Sequence, residues 1–151
     1  MTDSAVRRVA GFSPYEEEIG FSRAVAAGDF VLVSGCTAWY NGMVQHEGDP
    51  YSQTFDAFGV AFEALEKFGL GARDVVRTRM YLTHVRDTED VGRAHKELFD
   101  VVRPAATMVV VDALLDSRMM VEVEVDAHRT GLADRLAAAT GATAPAPKGK
   151  P

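Results

Sequence analysis

The sequence predicts an α+β domain in which two helices pack on one face of a sheet. Three observations lead there: short β-branched runs punctuated by glycine, two segments whose apolar residues recur at helical spacing, and the order strand, helix, strand, helix, strand, strand. A chain of 151 residues suits one such unit, because two domains would each bury too small a core.

Phe30-Val-Leu-Val-Ser34 is an apolar run introduced by Gly28-Asp29 and closed by Gly35, which reads as a central strand. Residues 6–12 and 22–26 are weaker strand candidates, and residues 26–29 form the hairpin turn feeding the stronger run. Asn41-Gly42 marks a further turn. Over residues 52–68 the period changes. Phe55, Phe58, Phe62 and Leu65 share one face, while Gln53, Asp56, Glu63, Glu66 and Lys67 occupy others. Ser52 is the predicted N-cap, Gly69 and Gly71 close the helix, and Gly59 is read as permitting close packing on a sheet.

Residues 75–83 form a strand with unlike faces, Val76, Thr78, Met80 and Leu82 on one and Val75, Arg77, Arg79 and Tyr81 on the other. Asp87 or Thr88 then caps a second helix whose inward stripe is Val91, Ala94, His95, Leu98, Phe99 and Val102, and Pro104 ends it. Residues 107–112 and 120–127 are the last two strands. The final one alternates Val121, Val123 and Val125 with Glu122, Glu124 and Asp126, a row of three carboxylates. If the valines meet the helices, the carboxylates share the open face with Arg77, Arg79 and Tyr81, as an ion-paired surface or as one covered by a symmetric oligomer. The single domain spans residues 1–130. Residues 131–151 read as an Ala- and Pro-rich C-terminal tail, flexible from about residue 140 after a short frayed helix over 132–139.

Composition narrows the function. The chain is 47% hydrophobic and 25% charged, which excludes disorder, collagen and coiled coil. A formal charge of −6 with no basic, aromatic-interleaved patch disfavours a nucleic-acid partner. No apolar run is long enough to cross a bilayer, so no membrane partner is expected. The lone Cys36 makes no intramolecular disulfide, and a cytoplasmic setting follows as the default. His46, His84, His95 and His128 lack ligand spacing, so no metal site is predicted, and His95 reads as a satisfied, partly buried histidine. Without a Gly-x-Gly-x-x-Gly, a phosphate-binding Gly-x-x-x-x-Gly-Lys or a Gly-x-Ser-x-Gly, no cofactor is expected.

Ser22-Arg-Ala-Val25, Phe30-Val-Leu-Val-Ser-Gly35, Phe62-Glu-Ala-Leu-Glu-Lys-Phe-Gly69, residues 75–87, Arg103-Pro-Ala-Ala-Thr-Met-Val-Val-Val111 and Met120-Val-Glu-Val-Glu124 together resemble the Rid (YjgF/L-PSP) family. The resemblance covers most of residues 20–127. It implies a chorismate-mutase-like fold, a homotrimer, and small-molecule pockets at subunit interfaces in which some members hydrolyse imines or enamines to ketoacid and ammonia. Glu122 matches the family glutamate that positions or activates water.

Four positions depart from the active pattern. Ala106 stands where deaminating members carry the arginine that grips a substrate carboxylate, Met108 replaces a cysteine, Phe21 a tyrosine and Arg86 an asparagine. The resemblance thus implies a pocket of Phe21, Gly35, Cys36, Arg86, Ala106, Thr107 and Met108 around Glu122. Arg86 either replaces the missing guanidinium or is a solvated loop residue. The chain is then an imine or enamine hydrolase, a non-catalytic ligand- or partner-binding trimer, or an enzyme acting on a larger, uncharged substrate in the same pocket.

Overall fold

Positive φ angles at turn residues set the first half of the chain. Gly28, at φ +60°, lets strand β2 (Ala24–Ala27) turn back as β3 (Phe30–Cys36), with Ala27 opposite Phe30. Asn41 and Gly42, at φ +50° and +79°, join the short strands β4 (Trp39–Tyr40) and β5 (Met43–Val44), the pairing a two-residue hairpin loop prefers. These features belong to a computed structural model that describes residues 6–141.

Before them come β1 (Val6–Val9) and a short helix α1 (Tyr15–Ile19); after them come α2 (Pro50–Glu66), β6 (Val75–Leu82), α3 (Thr88–Phe99), β7 (Ala105–Val110), β8 (Val121–His128) and α4 (Leu132–Gly141). Six strands form one sheet in the order β1-β2-β3-β8-β6-β7, antiparallel except for the β6–β7 pair. The architecture is α+β, with a mixed sheet. Helices α2 and α3 lie on the face where Val121, Val123, Val125 and Ala127 of β8 are buried with Phe58, Leu65, Val91 and Phe99.

Several boundaries differ from those read in the sequence, each for a physical reason. Helix α2 starts two residues early because Pro50 needs no helical N–H partner, and Asp49 rather than Ser52 caps it, accepting from the Ser52 N–H at 3.0 Å. In β6 the alternation breaks at a bulge between Val75 and Arg77, so Val75 is buried and Val76 exposed. Gln53 is fully buried: its Nε2 donates to the carbonyls of Gln45 and Arg118, and its Oε1 accepts from the Met120 N–H. Gly59 serves no close packing, since a Cβ there would meet nothing within 4 Å.

Helix α1, for which the sequence pattern gave no helical period, is only five residues long. At the other end, Leu132 is fully buried in the core and Leu136 packs on it, so the packed unit continues past residue 130. Asp29 caps α4 from across the chain, accepting from the N–H groups of Gly131 and Ala133 at 3.0 Å each. Residues 142–151 of the expected tail lie outside the described residues.

Candidate functional site

The opposite face of the sheet carries the carboxylates. Register sets Tyr81 against Glu122, Arg79 against Glu124 and Arg77 against Asp126, which answers the strand-order question that spacing leaves open. Arg79 Nη1 lies 3.3 Å from Glu124 and 3.4 Å from Asp126, and the Tyr81 hydroxyl donates to Glu124 at 3.0 Å. Those two carboxylates form the ion-paired surface. Among the described residues no side chain hydrogen-bonds Glu122. Burial and the charge of Glu124 push its carboxyl above the ordinary value, with Arg23 pulling the other way.

Glu122 faces β3 at an irregular step. The β3–β8 register shifts between Val33 and Cys36, and there the backbone of Gly35 runs directly under the Glu122 carboxylate. A Cβ on Gly35 would overlap Oε1 and sit 2.9 Å from Cδ, so any larger residue there would push the Glu122 carboxylate out of this position. Arg23 holds this bulge from below. Its Nη1 donates to the Gly35 carbonyl at 2.6 Å and approaches Ser34 O and Cys36 Sγ at 3.4 and 3.3 Å, while its Nη2 pairs with Glu16 at 3.7 Å. At 6% exposure the guanidinium needs those partners, because an unpaired charge so placed would be strongly disfavoured.

Glu16 extends the chain of contacts outward. Its carboxylate accepts from the N–H groups of Gly11 and Ser13 at 2.8 and 3.1 Å, fixing the loop before α1. That loop, β3 and β8 enclose a cavity of about 710 Å³. Phe12, Ile19, Phe21, Leu32, Trp39 and Leu115 supply apolar walls, and Arg23, Glu122, Glu124 and Asp126 the charges. Arg23 also lies 5.7 Å from the centre of the Phe21 ring.

Of the residues singled out in the sequence, Phe21, Gly35, Cys36 and Glu122 line this cavity. Cys36 is buried and its thiol is pushed up to about 11 by desolvation, which removes it as a nucleophile. The other four lie elsewhere in the chain. Ala106, Thr107 and Met108 sit on β7, two strands from β8 across β6, which is about 10 Å at normal strand spacing. Thr107 pairs in register with Arg79, and Met108 packs against the helix-side core. Arg86 is 75% exposed, 3.7 Å from Asp87.

Glu16 and Arg23 support the cavity floor, and sequence reasoning passed them over. The available signal was an arginine set in the small-residue strand segment Ser22-Arg-Ala-Val25, where a buried guanidinium requires a carboxylate. His95 is half-buried as predicted, with Nε2 2.8 Å from Thr78 Oγ1 and its ring against Phe58 and Phe99; burial lowers its pKa. Among the described residues no group of three His, Cys, Asp or Glu side chains is placed to hold a metal, and no helix is long and apolar enough to cross a membrane.

One-sided helices over a mixed sheet, with a carboxylate-bearing cavity on the other face, define an α+β protein of the YjgF-like class. The chain belongs to the Endoribonuclease L-PSP family, whose model matches residues 14–129. It is 59% identical over 129 residues to an uncharacterised protein of Streptomyces coelicolor, a match spanning 85% of this chain and 96% of that one. A crystal structure of a YjgF/YER057c/UK114 family member from Mycobacterium tuberculosis aligns with a TM-score of 0.74 at 36% identity, covering 82% of this chain and 99% of that one. A protein of unknown function from Pseudomonas aeruginosa aligns with a TM-score of 0.72 at 29% identity, covering 82% and 92%.

Proposed function

We propose that this protein is a small-molecule hydrolase that cleaves imines or enamines, with Glu122 handling the attacking water. The observation that carries the reading is the unpartnered Glu122 carboxylate, half-buried above the bare backbone of Gly35 in an apolar cavity. In the reaction, water adds to the carbon of a protonated C=N while Glu122 takes its proton, and the π pair moves to nitrogen. Glu122 then returns the proton to the carbinolamine nitrogen, the C–N bond breaks as a hydroxyl lone pair closes the C=O, and the departing ammonia takes the hydroxyl proton to leave as ammonium; an amino-acid-derived imine gives a ketoacid. A carboxyl raised above its ordinary value is the better base for this exchange near neutral pH.

The site is completed in a homotrimer, where a neighbouring copy brings β7, with Ala106, Thr107 and Met108, and the exposed Arg86 toward the cavity. That β7 is an edge strand with exposed apolar side chains, Val109 and Val110 among them, supports this assembly. The family description names an endoribonuclease, yet three carboxylates in the cavity wall favour a small substrate over a phosphodiester chain. Ala106, in place of the substrate-gripping arginine of active relatives, favours a second reading, ligand binding without turnover.

The readings separate when imines are generated in situ, from amino acids by an amino-acid oxidase and from simple amines by a flavin amine oxidase, and carbonyl release is followed. The expected result is acceleration over buffer with at least one class, lowered about 100-fold in Glu122→Gln. A rate equal to spontaneous hydrolysis with both classes leaves only the binding reading, and full activity in Glu122→Gln removes that residue from the chemistry.

A further inference from the structure

We infer, on the basis of the hydrolase reading above, that the cavity selects a cationic ligand without a carboxylate: an amine or protonated imine bearing an aryl or branched alkyl group. The charged residues that line the cavity are Arg23, Glu122, Glu124 and Asp126; Glu16 and Arg79 stand behind them as ion-pair partners, and the exposed Arg77 lies opposite Asp126 at the rim of the same face. The guanidiniums of Arg23 and Arg79 are already engaged. Arg23 is held by the Gly35 carbonyl and Glu16, and Arg79 by Glu124 and Asp126.

An incoming carboxylate therefore meets no unengaged cation among the lining residues of this chain and would stand beside Glu122, a like charge in a partly desolvated setting; the Arg86 that a neighbouring copy brings toward the cavity is the one cation that would work against this selection. A protonated amine or imine meets the one carboxylate that lacks a local partner. The rest of the molecule is chosen by the walls. Phe12, Phe21, Leu32, Trp39 and Leu115 present rings and branched chains to a volume of about 710 Å³, within the usual range for small-ligand sites. The missing arginine at position 106 fits the same selection, since no carboxylate then has to be gripped.

Trp39 is the single tryptophan of the chain and lines the cavity, so its fluorescence reports occupancy directly. The full-length protein is titrated with phenethylamine, phenylalanine, 3-phenylpropionate and 2-phenylethanol, a set that shares one aryl group and varies only the charge. Phenethylamine is expected to bind at least about tenfold more tightly than phenylalanine or 3-phenylpropionate. Glu122→Gln is expected to weaken phenethylamine about tenfold while leaving 2-phenylethanol within about twofold, which also shows that the variant keeps its cavity.

Phenylalanine or 3-phenylpropionate binding as tightly as phenethylamine overturns the inference, as does the absence of saturable quenching by any of the four. The hydrolase reading is scored separately by carbonyl release. Selective amine binding without turnover of any imine keeps the ligand class and removes the chemistry; equal turnover of carboxylate-bearing and carboxylate-free imines keeps the chemistry and removes the ligand class.

Discussion

Strand β8 presents two faces built on one backbone. Toward α2 it shows Val121, Val123, Val125 and Ala127, all fully buried in the apolar core. Toward the open side it shows Glu122, Glu124 and Asp126, and there the fates diverge: Glu124 and Asp126 share Arg79, and Glu122 faces the cavity without an ion-pair partner among the described residues. The first face is governed by volume, so neighbouring residues respond alike to substitution. The second is governed by which charge finds a partner, so residues two positions apart take unlike roles.

The largest effect belongs to the buried face. Phe58 is fully buried and packs edge-on against Phe99, so Phe58→Ala is expected to lower unfolding free energy by about 3–5 kcal/mol in urea denaturation. A loss under about 1 kcal/mol would mean that this face repacks freely and would break the contrast. One position on the same helix should move the other way. With open space around it, Gly59→Ala is expected to raise stability by about 1 kcal/mol through helix propensity alone, read as a higher Tm. A destabilised variant would show that a neighbouring copy occupies that space.

The smallest effect sharpens the open face. Burial, together with the Glu124 charge, raises the Glu122 carboxyl, so the native state holds that proton more tightly than the unfolded chain. Stability is then lost as pH rises through the window between the ordinary and the raised value, and ionised Glu122 is destabilising at neutral pH. Glu122→Gln should accordingly melt at a higher temperature than wild type at about pH 7 and lose that advantage below about pH 4. An equal gain at both pH values would assign the effect to packing and not to charge.

Local pattern carried much of the fold because the helices and strong strands announce themselves over a few residues. The Phe58–Leu65 stripe and the Val121–Val125 alternation each needed only their own segment. What escaped depended on distant partners. Gln53 reads as a surface residue until the carbonyl of Arg118 and the N–H of Met120, both more than 60 residues away, enclose it. The bulge at Val75 and Arg77 inverts one residue of an otherwise regular strand, a change no period can show.

The cavity was legible in part for the same reason. Gly35, Cys36 and Glu122 come together because β3 and β8 pair, and Phe21 joins them from the loop before β2. Arg86 and residues 106–108 are carried to other parts of the surface by β6 and β7. Glu16 and Arg23 escaped notice because each looks ordinary alone; the ion pair that gives them meaning spans a turn and a change of direction.

The Glu16–Arg23 pair also places two natural reporters on the protein. The amide protons of Gly11 and Ser13 end on Glu16, Glu16 holds Arg23, and Arg23 holds the Gly35 carbonyl. Whatever displaces Gly35 therefore loosens two backbone amides that lie outside the sheet, and their hydrogen exchange gives a clock for motion at the cavity floor.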